Sequence, residues 1–284
     1  MKFLLIGHYA FDVLHDNGTE RQQRGGMHQA IAFLAGLASR QDRIVPVFPL
    51  QGEELPAVVQ DLKEMTNVDV GGIYGMETPS HRVHYFPQPD GTRVACVREM
   101  AEPIPFERIR KFLDADGVLI NMMSGTDLRL ETMDEIRMAI RGTGTRLHLD
   151  FHNLTMGVGS DGVRVRRPVT AWRRWAFMVD TLQLNEEEIA GLSAERMPER
   201  QTVGHLLTLG VKGVVVTRAA RGATLYTSEH KQIVQKDVAA PQAAADPGIG
   251  GGDRFGAAFL LRYCATGSPV EAVEFAVSAM TGSG

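Results

Sequence analysis

At 284 residues, 44% hydrophobic and 23% charged, the chain has the makings of one large α/β domain or two small ones with a sizeable core. A net charge of −4 and an isoelectric point near 6.1 argue against general nucleic-acid binding, which shows a basic excess. Cys96 and Cys264 are too few for a disulfide framework or a cysteine zinc site, and no apolar run is long enough to cross a bilayer or serve as a signal-peptide core, so a cytoplasmic protein without membrane partners is expected.

Taken in chain order, short β-like runs alternate with longer helical patterns, which predicts a mainly parallel sheet covered on both faces. Strands are expected over 2–6, 44–50, 117–121, 146–150, 179–184 and 213–217. Helices are expected over 27–39, 53–65, 128–140, 203–209, 254–265 and 270–280. One segment breaks the alternation. His81 to Phe86 and Thr92 to Val97 read as two strands joined across Asp90-Gly91, a hairpin at 81–99 lying outside the main sheet. Bulky groups on both of its faces predict that it is covered, by a ligand on one side or a second protomer on the other.

The densest chemistry lies near the C-terminus, where Asp246-Pro247-Gly248-Ile249-Gly250-Gly251-Gly252-Asp253 leads into an apolar helix. A helix N-terminus offers unpaired N–H groups and partial positive charge to anions, and glycine lets the anion approach. A carboxylate at such a place should repel phosphate. It reads either as a first-turn acid that favours the dipole or as a base that takes a hydroxyl proton.

That stretch resembles the signature of the ribokinase or PfkB-type carbohydrate kinases, Asp-x-x-Gly-x-Gly-Asp at a helix start. Three other features fall in the family's order: Gly7 to Asp12 after the first strand, Gly25-Gly26 before the first long helix, and Asn185-Glu186-Glu187-Glu188 matching Asn-x-x-Glu, followed by the Val214 to Gly222 strand and loop. The resemblance spans residues 2 to about 280. It implies a three-layer α/β sandwich as a single ribokinase-like unit, with the 81–99 hairpin as a small β lid over the acceptor and, through that lid, a homodimer. The short interval from Asp12 to Gly25 leaves room only for brief further lid strands.

The resemblance also assigns roles. Asp253 becomes the catalytic base, and the N–H groups of Gly250, Gly251 and Gly252 the anion hole. Asp12, Gly25 and Gly26 bind the acceptor. Asn185, Thr217 and Gly222 fall to the nucleotide, and Glu188 to magnesium through water. ATP and Mg²⁺ are the implied cofactors. A monovalent cation beside Asp246 is in doubt, because six residues separate Asp246 from Asp253 where the family has five. Further departures are Ala30 where the family has Asn, and Ala219 where it has Gly. The chain ends at Gly284 where relatives continue, so either it is truncated or its nucleotide pocket is built differently.

The implied activity is ATP-dependent phosphorylation of a hydroxyl on a small sugar or polyol. A nucleoside acceptor is the alternative, since His8, Tyr9, Phe11 and His28 can stack on a base or simply pack. A kinase-like ligand-binding protein with weak or no catalysis is the second. Asn185 and Glu188 also fit a helix-capping pair. His148, Asp150 and His152 alternate as metal ligands can, but His148 is read as sheet interior and the other two as the rim of the cleft. The Gly157 to Gly162 glycines are read as a loop, and the Arg164 to Arg174 arginines as a solvated face.

Overall fold

The computed structural model describes residues 1–16, 18–240 and 250–280. Its strands, in chain order, are β1 (Lys2–Ile6), β2 (Tyr9–Asp16), β3 (Thr19–Gly26), β4 (Arg43–Val47), β5 (Pro49–Gln51), β6 (Tyr74–Met76), β7 (His81–Pro87), β8 (Arg93–Glu99), β9 (Gly117–Asn121), β10 (Arg146–Asp150), β11 (Met156–Val158), β12 (Arg164–Arg166), β13 (Thr181–Asn185), β14 (Gly213–Thr217), β15 (Ala223–Glu229) and β16 (Gln232–Val238). The helices are α1 (Met27–Leu37), α2 (Leu55–Leu62), α3 (Phe106–Ile109), α4 (Leu130–Ala139), α5 (Trp172–Phe177), α6 (Glu186–Gly191), α7 (Glu199–Thr208), α8 (Gly251–Thr266) and α9 (Pro269–Ala279).

Eight strands form the central sheet in the order β16-β15-β14-β13-β10-β9-β1-β4. From β4 to β14 every pairing is parallel, while β15 and β16 close one edge as an antiparallel hairpin. Parallel strands are covered on both faces, so their residues are apolar on both. β1 shows how the alternation divides the core. Leu4 and Ile6 join one apolar cluster with Val118, Ile120, Leu147 and Leu149, whereas Phe3 and Leu5 join the other with Leu119 and Leu260. The fold is the expected α/β sandwich of helices on a mainly parallel sheet.

α1 buries Met27, Ala30, Ile31 and Leu34, a stripe at helical spacing, against the second of these faces. α8 packs on the same face. It ends where Gly267 takes φ 74°, and Ser268 then caps α9, accepting a hydrogen bond from the Glu271 N–H, with Pro269 at the first helical position. The beginning of α8 is thereby held against the middle of the sheet.

A second sheet of order β3-β2-β7-β8 stands outside the first. The 81–99 hairpin forms as expected, but the strands before it do not follow expectation. β2 and β3 are eight residues each and pair along their whole length, so this sheet has four strands, not a hairpin with brief additions. The reason lies in β3, whose Thr19 to Arg24 stretch is polar and mostly exposed. It is a strand held by its partner, with no apolar alternation of its own. Of the 157–162 glycines read as a loop, Gly157 lies within β11, paired with Val165 of β12, while Gly159 and Gly162 lie in the turn between the two strands.

Leu119, fully buried on β9 beneath α8, tests this arrangement. Replacing it with Ala should cost about 2–5 kcal/mol, the usual range for a large-to-small change in a packed core. Chemical denaturation followed by far-UV circular dichroism would show it as a lower midpoint with an unchanged native spectrum.

Candidate active site

The parallel strands end at one edge, and there the sequence turns polar. Asn121 closes β9, Asp150 closes β10, Asn185 closes β13 and Thr217 closes β14, with Asp150 in register with both Asn121 and Gln183. Ligands bind at the carboxyl ends of strands in open α/β sheets, where loops leave a crevice. Here a cavity of about 690 Å³ opens above that edge and reaches from Asp12 and the second sheet, past Asp253, to Thr217 and Gly222.

Asp253 sits in the first turn of α8, fully inside the cavity floor and 3% exposed. Asn121 Nδ2 donates to its Oδ1 at 2.8 Å. Burial raises its proton affinity above the ordinary carboxylate range, against the pull of His152, the Asn121 hydrogen bond and Arg254. Gly250 precedes the helix at φ 84°, a left-handed conformation that suits glycine, and a Cβ there would crowd Gln29. Gly251 and Gly252 open α8, so their N–H groups have no acceptor within the helix. Glycines, free N–H groups and carboxylate therefore converge on one spot, as the sequence suggested. Asp246 and Gly248 lie outside the described residues.

Asp12 lines the opposite wall, from β2. Burial pushes its pKa up to about 6, with Asp253 adding repulsion and Arg164 and Gln23 opposing the rise. Gly25, paired across the sheet beside it, leaves the space that the carboxylate fills. A Cβ at position 25 would lie 2.6 Å from Asp12 Cγ. Gly26 lines the cavity and leads into α1 at φ 58°.

Asn185 lines the cavity as well, but Glu188 stands behind it. The Asn185 backbone N–H donates to Glu188 Oε2 at 2.8 Å, Asn185 Nδ2 donates to Oε1 at 2.7 Å, and Asn185 Oδ1 accepts from the Glu188 N–H at 2.8 Å. The pair thus forms a complete capping box at the start of α6. Glu188 is buried beside Asp150, whose proton affinity is raised well above normal by burial and then by the neighbouring charges of Glu188 and Asp253.

Thr217 and Gly222 both line the far end of the cavity. Ala219, in the place of the family's glycine, adopts φ 49°. An L-residue pays about 1–2 kcal/mol for that left-handed backbone, which glycine takes freely. Ala30 is wholly buried in the core and does not line the cavity.

Several expectations need correcting. His8, Tyr9 and Phe11 do not line the cavity: they are buried, with Tyr9 packed edge-on to Phe11 at 5.5 Å, and Tyr9 hydrogen bonded to His28 at 3.3 Å. A nucleobase finds no stacking partner in them. Arg164 does not belong to a solvated face. It lies in the cavity wall, its Nη2 donating to His81 Nε2 at 3.0 Å, and it lowers the proton affinity of Asp12. Burial and the Arg164 charge hold His81 neutral, its pKa down to about 3. His148 is buried as expected, hydrogen bonded to Thr181 at 2.8 Å and stacked on Phe259 at 4.7 Å.

Asn121 and Gln183 escaped the sequence reading. Gln183 Nε2 donates to Asp150 Oδ2 at 3.0 Å and to the Gly252 carbonyl at 2.9 Å, tying the sheet to the first turn of α8. The only sequence signals were a polar residue at the end of an apolar strand for Asn121 and one in the middle of a strand for Gln183.

Residues 165–281 match the pfkB family carbohydrate kinase profile. No curated protein matches the sequence. Among solved structures, the chain is similar to a pyrophosphate-dependent kinase in the ribokinase family, with 16% identity, a TM-score of 0.80 and coverage of 99% of this chain and 94% of that one. It is similar to a ribokinase from Thermotoga maritima at 17% identity and TM-score 0.76, covering 99% and 91%. It is similar also to the Arabidopsis thaliana ribokinase complexed with ribose and ATP, at 19% identity and TM-score 0.72, covering 98% and 91%. The resemblance read from the motifs is thereby shown and the fold is ribokinase-like. The family match contains Asn185, Glu188, Thr217 and Asp253.

Two predictions follow from Asp12. An ionised carboxylate is a stronger hydrogen-bond acceptor for hydroxyls than the neutral acid, so acceptor affinity should fall as pH drops below about 6 and level off above it. The KM for acceptor, measured from pH 5 to 8, shows this directly, and Asp12→Asn should abolish the pH dependence along with most of the affinity. Stability moves the other way: Asp12 binds its proton more tightly folded than unfolded, so its contribution favours the fold at low pH and declines as pH rises from about 4 through 6. Gly25→Ala should displace the Asp12 carboxylate and raise the acceptor KM while leaving donor KM unchanged, since Gly25 lies away from Thr217 and Gly222.

Proposed function

We propose that the protein transfers the γ-phosphoryl group of ATP to a hydroxyl of a small sugar or polyol. The observation that carries this reading is the placement of Asp253 in one continuous cavity, between the free N–H groups of the α8 N-terminus and the Asp12 wall. The acceptor lies against Asp12 and Arg164, under the β7–β8 lid, with Val83, Tyr85 and Ala95 above it. Its reacting hydroxyl gives a proton to Asp253 as its oxygen bonds to phosphorus and the bond to the leaving diphosphate breaks. The N–H groups of Gly251 and Gly252 hold phosphoryl oxygens during the transfer.

ATP is favoured as donor by the far end of the cavity. Ala219, Ala220, Ala240, Val277 and Met280 line it beside Thr217 and Gly222, and no charged side chain of the described residues joins them there. A flat heterocycle suits such walls, whereas pyrophosphate calls for cationic groups. The similarity to a pyrophosphate-dependent kinase makes that donor the second reading.

Magnesium fits the oxygen-rich edge formed by Asp150, Glu188 and Asp253, whose buried charges a divalent cation would offset. When bound, it would neutralise charge on the transferring phosphoryl oxygens. Glu188, held by Asn185, is placed to order a water of its shell. We take residues 1–284 as one ribokinase-like unit, active in the cytoplasm, with the lid as the candidate surface for a homodimer.

Incubation with ATP or pyrophosphate, each with magnesium and a panel of sugars, polyols and nucleosides, tests the reading. Phosphorylated sugar or polyol formed with ATP is expected. Product only with pyrophosphate would overturn the donor assignment, and product only from nucleosides the acceptor. Tight ligand binding with no product from any pair would make this a binding protein. On the true acceptor, Asp253→Asn should lower kcat by about 10²–10⁴-fold, roughly 3–5 kcal/mol at the transition state, with KM values and melting temperature close to wild type.

A further inference from the structure

Beside Asp253 the structure brings His152 together with two carboxylates, a mixed nitrogen and oxygen donor set. One ligand atom each of Asp150, His152 and Asp253 lies within 4.8 Å of the other two, the only such group of three among the described residues. Metal–oxygen and metal–nitrogen bonds of about 2.0–2.2 Å allow up to about 4.4 Å between opposed donors, so a small inward turn of one side chain closes the set. We propose that Asp150, His152 and Asp253 bind one divalent ion that accepts mixed nitrogen and oxygen donors, Zn²⁺ or Co²⁺, and that its binding occupies the Asp253 carboxylate.

The surrounding contacts are those that orient metal ligands. An amide orients each carboxylate, Gln183 Nε2 donating to Asp150 Oδ2 and Asn121 Nδ2 to Asp253 Oδ1. The His152 ring makes no hydrogen bond with any described residue, and its backbone is held at φ 36°, in a short 3₁₀ turn after β10. Its imidazole is therefore placed by the turn, with its nitrogens open to a ligand.

A second observation points the same way. Asn121 is fully buried, and its Oδ1 has no hydrogen-bond partner although the same amide donates to Asp253. A buried carbonyl oxygen left unpaired costs about 1–3 kcal/mol, and a metal-bound water is a donor that would satisfy it. Three protein ligands plus water is the usual make-up of an open zinc site. Imidazole favours zinc and cobalt over magnesium, which prefers oxygen throughout. The site shares Asp150 and Asp253 with the magnesium position proposed above and differs from it in the His152 nitrogen, so the two ions would compete.

Binding is tested on the full chain without nucleotide or magnesium, using Zn²⁺ by calorimetry and Co²⁺ by visible absorption. One equivalent should bind, and zinc should raise the melting temperature. His152→Asn, which tolerates the left-handed backbone, should weaken binding by at least about tenfold, and Asp150→Asn likewise, with circular dichroism confirming that each is folded. His84→Gln is the control, because His15 Nε2 and His84 Nδ1 lie 2.8 Å apart on the lid. No binding by wild type, undiminished binding by both site variants, or loss in His84→Gln alone would overturn the site. The link to turnover rests on the kinase reading, whereas the binding does not. Zinc should inhibit phosphoryl transfer, reversibly by chelation, and unchanged turnover at saturating zinc would remove Asp253 from the ligand set.

Discussion

The structure turns on a single constraint: a parallel sheet delivers the ends of all its strands to one edge. Asn121, Asp150, Asn185 and Thr217 are far apart in sequence, yet each is the last residue of a strand, and parallel pairing sets them side by side. Asn185 and Thr217 line the cavity, while Asn121 and Asp150 are buried beneath its floor and hydrogen bonded there to Asp253 and Gln183. α8 then lays its N-terminus across that floor, and Gln183 fastens it there by bridging Asp150 and the Gly252 carbonyl.

The second wall is held by a buried polar network. Asp127 accepts hydrogen bonds from the His8 N–H at 2.6 Å and from the Ser124 and Gly125 N–H groups at 2.9 and 3.0 Å. Burial alone would raise its proton affinity, but His8 and these donors reverse the effect and keep it below the usual range. His8 is tied further to Ser124 and to the Glu102 carbonyl. This anchors the turn between β1 and β2, so Asp12, four residues on, enters the cavity from a fixed base. Arg164 completes the wall from β12 by leaning on neutral His81.

Legibility in the sequence divides along the same lines. The β1, β9, β10 and β14 strands were evident because their apolar runs are short and bounded by polar or glycine residues. The glycine cluster and Asp253 were evident because their chemistry is local. β15 and β16 were missed: β16 is mostly exposed and mixes Gln232, Gln235, Lys236 and Asp237 with isolated apolar residues, so no period stands out. β3 was hidden for the same reason. Arg164 looked like one arginine among several, because what places it in the cavity is contact with His81, 83 residues away. Glu188 shows the converse: its local capping signature was real, and it coexists with the position the motif implied.

The floor gathers several buried acids in different electrostatic environments. Asp150, Glu188 and Asp253 are all buried, and burial raises the proton affinity of each. A carboxylate with raised proton affinity is the stronger base, provided it is ionised at working pH. At Asp253 the pull of His152, the Asn121 hydrogen bond and Arg254 offset part of the desolvation that raises its proton affinity. At Asp150 the like charges of Glu188 and Asp253 add to burial and raise its proton affinity further, while Gln183 Nε2 donates to its Oδ2. Glu188, closed into its box with Asn185, is withdrawn from the acceptor altogether. The roles separate by environment, not by residue type.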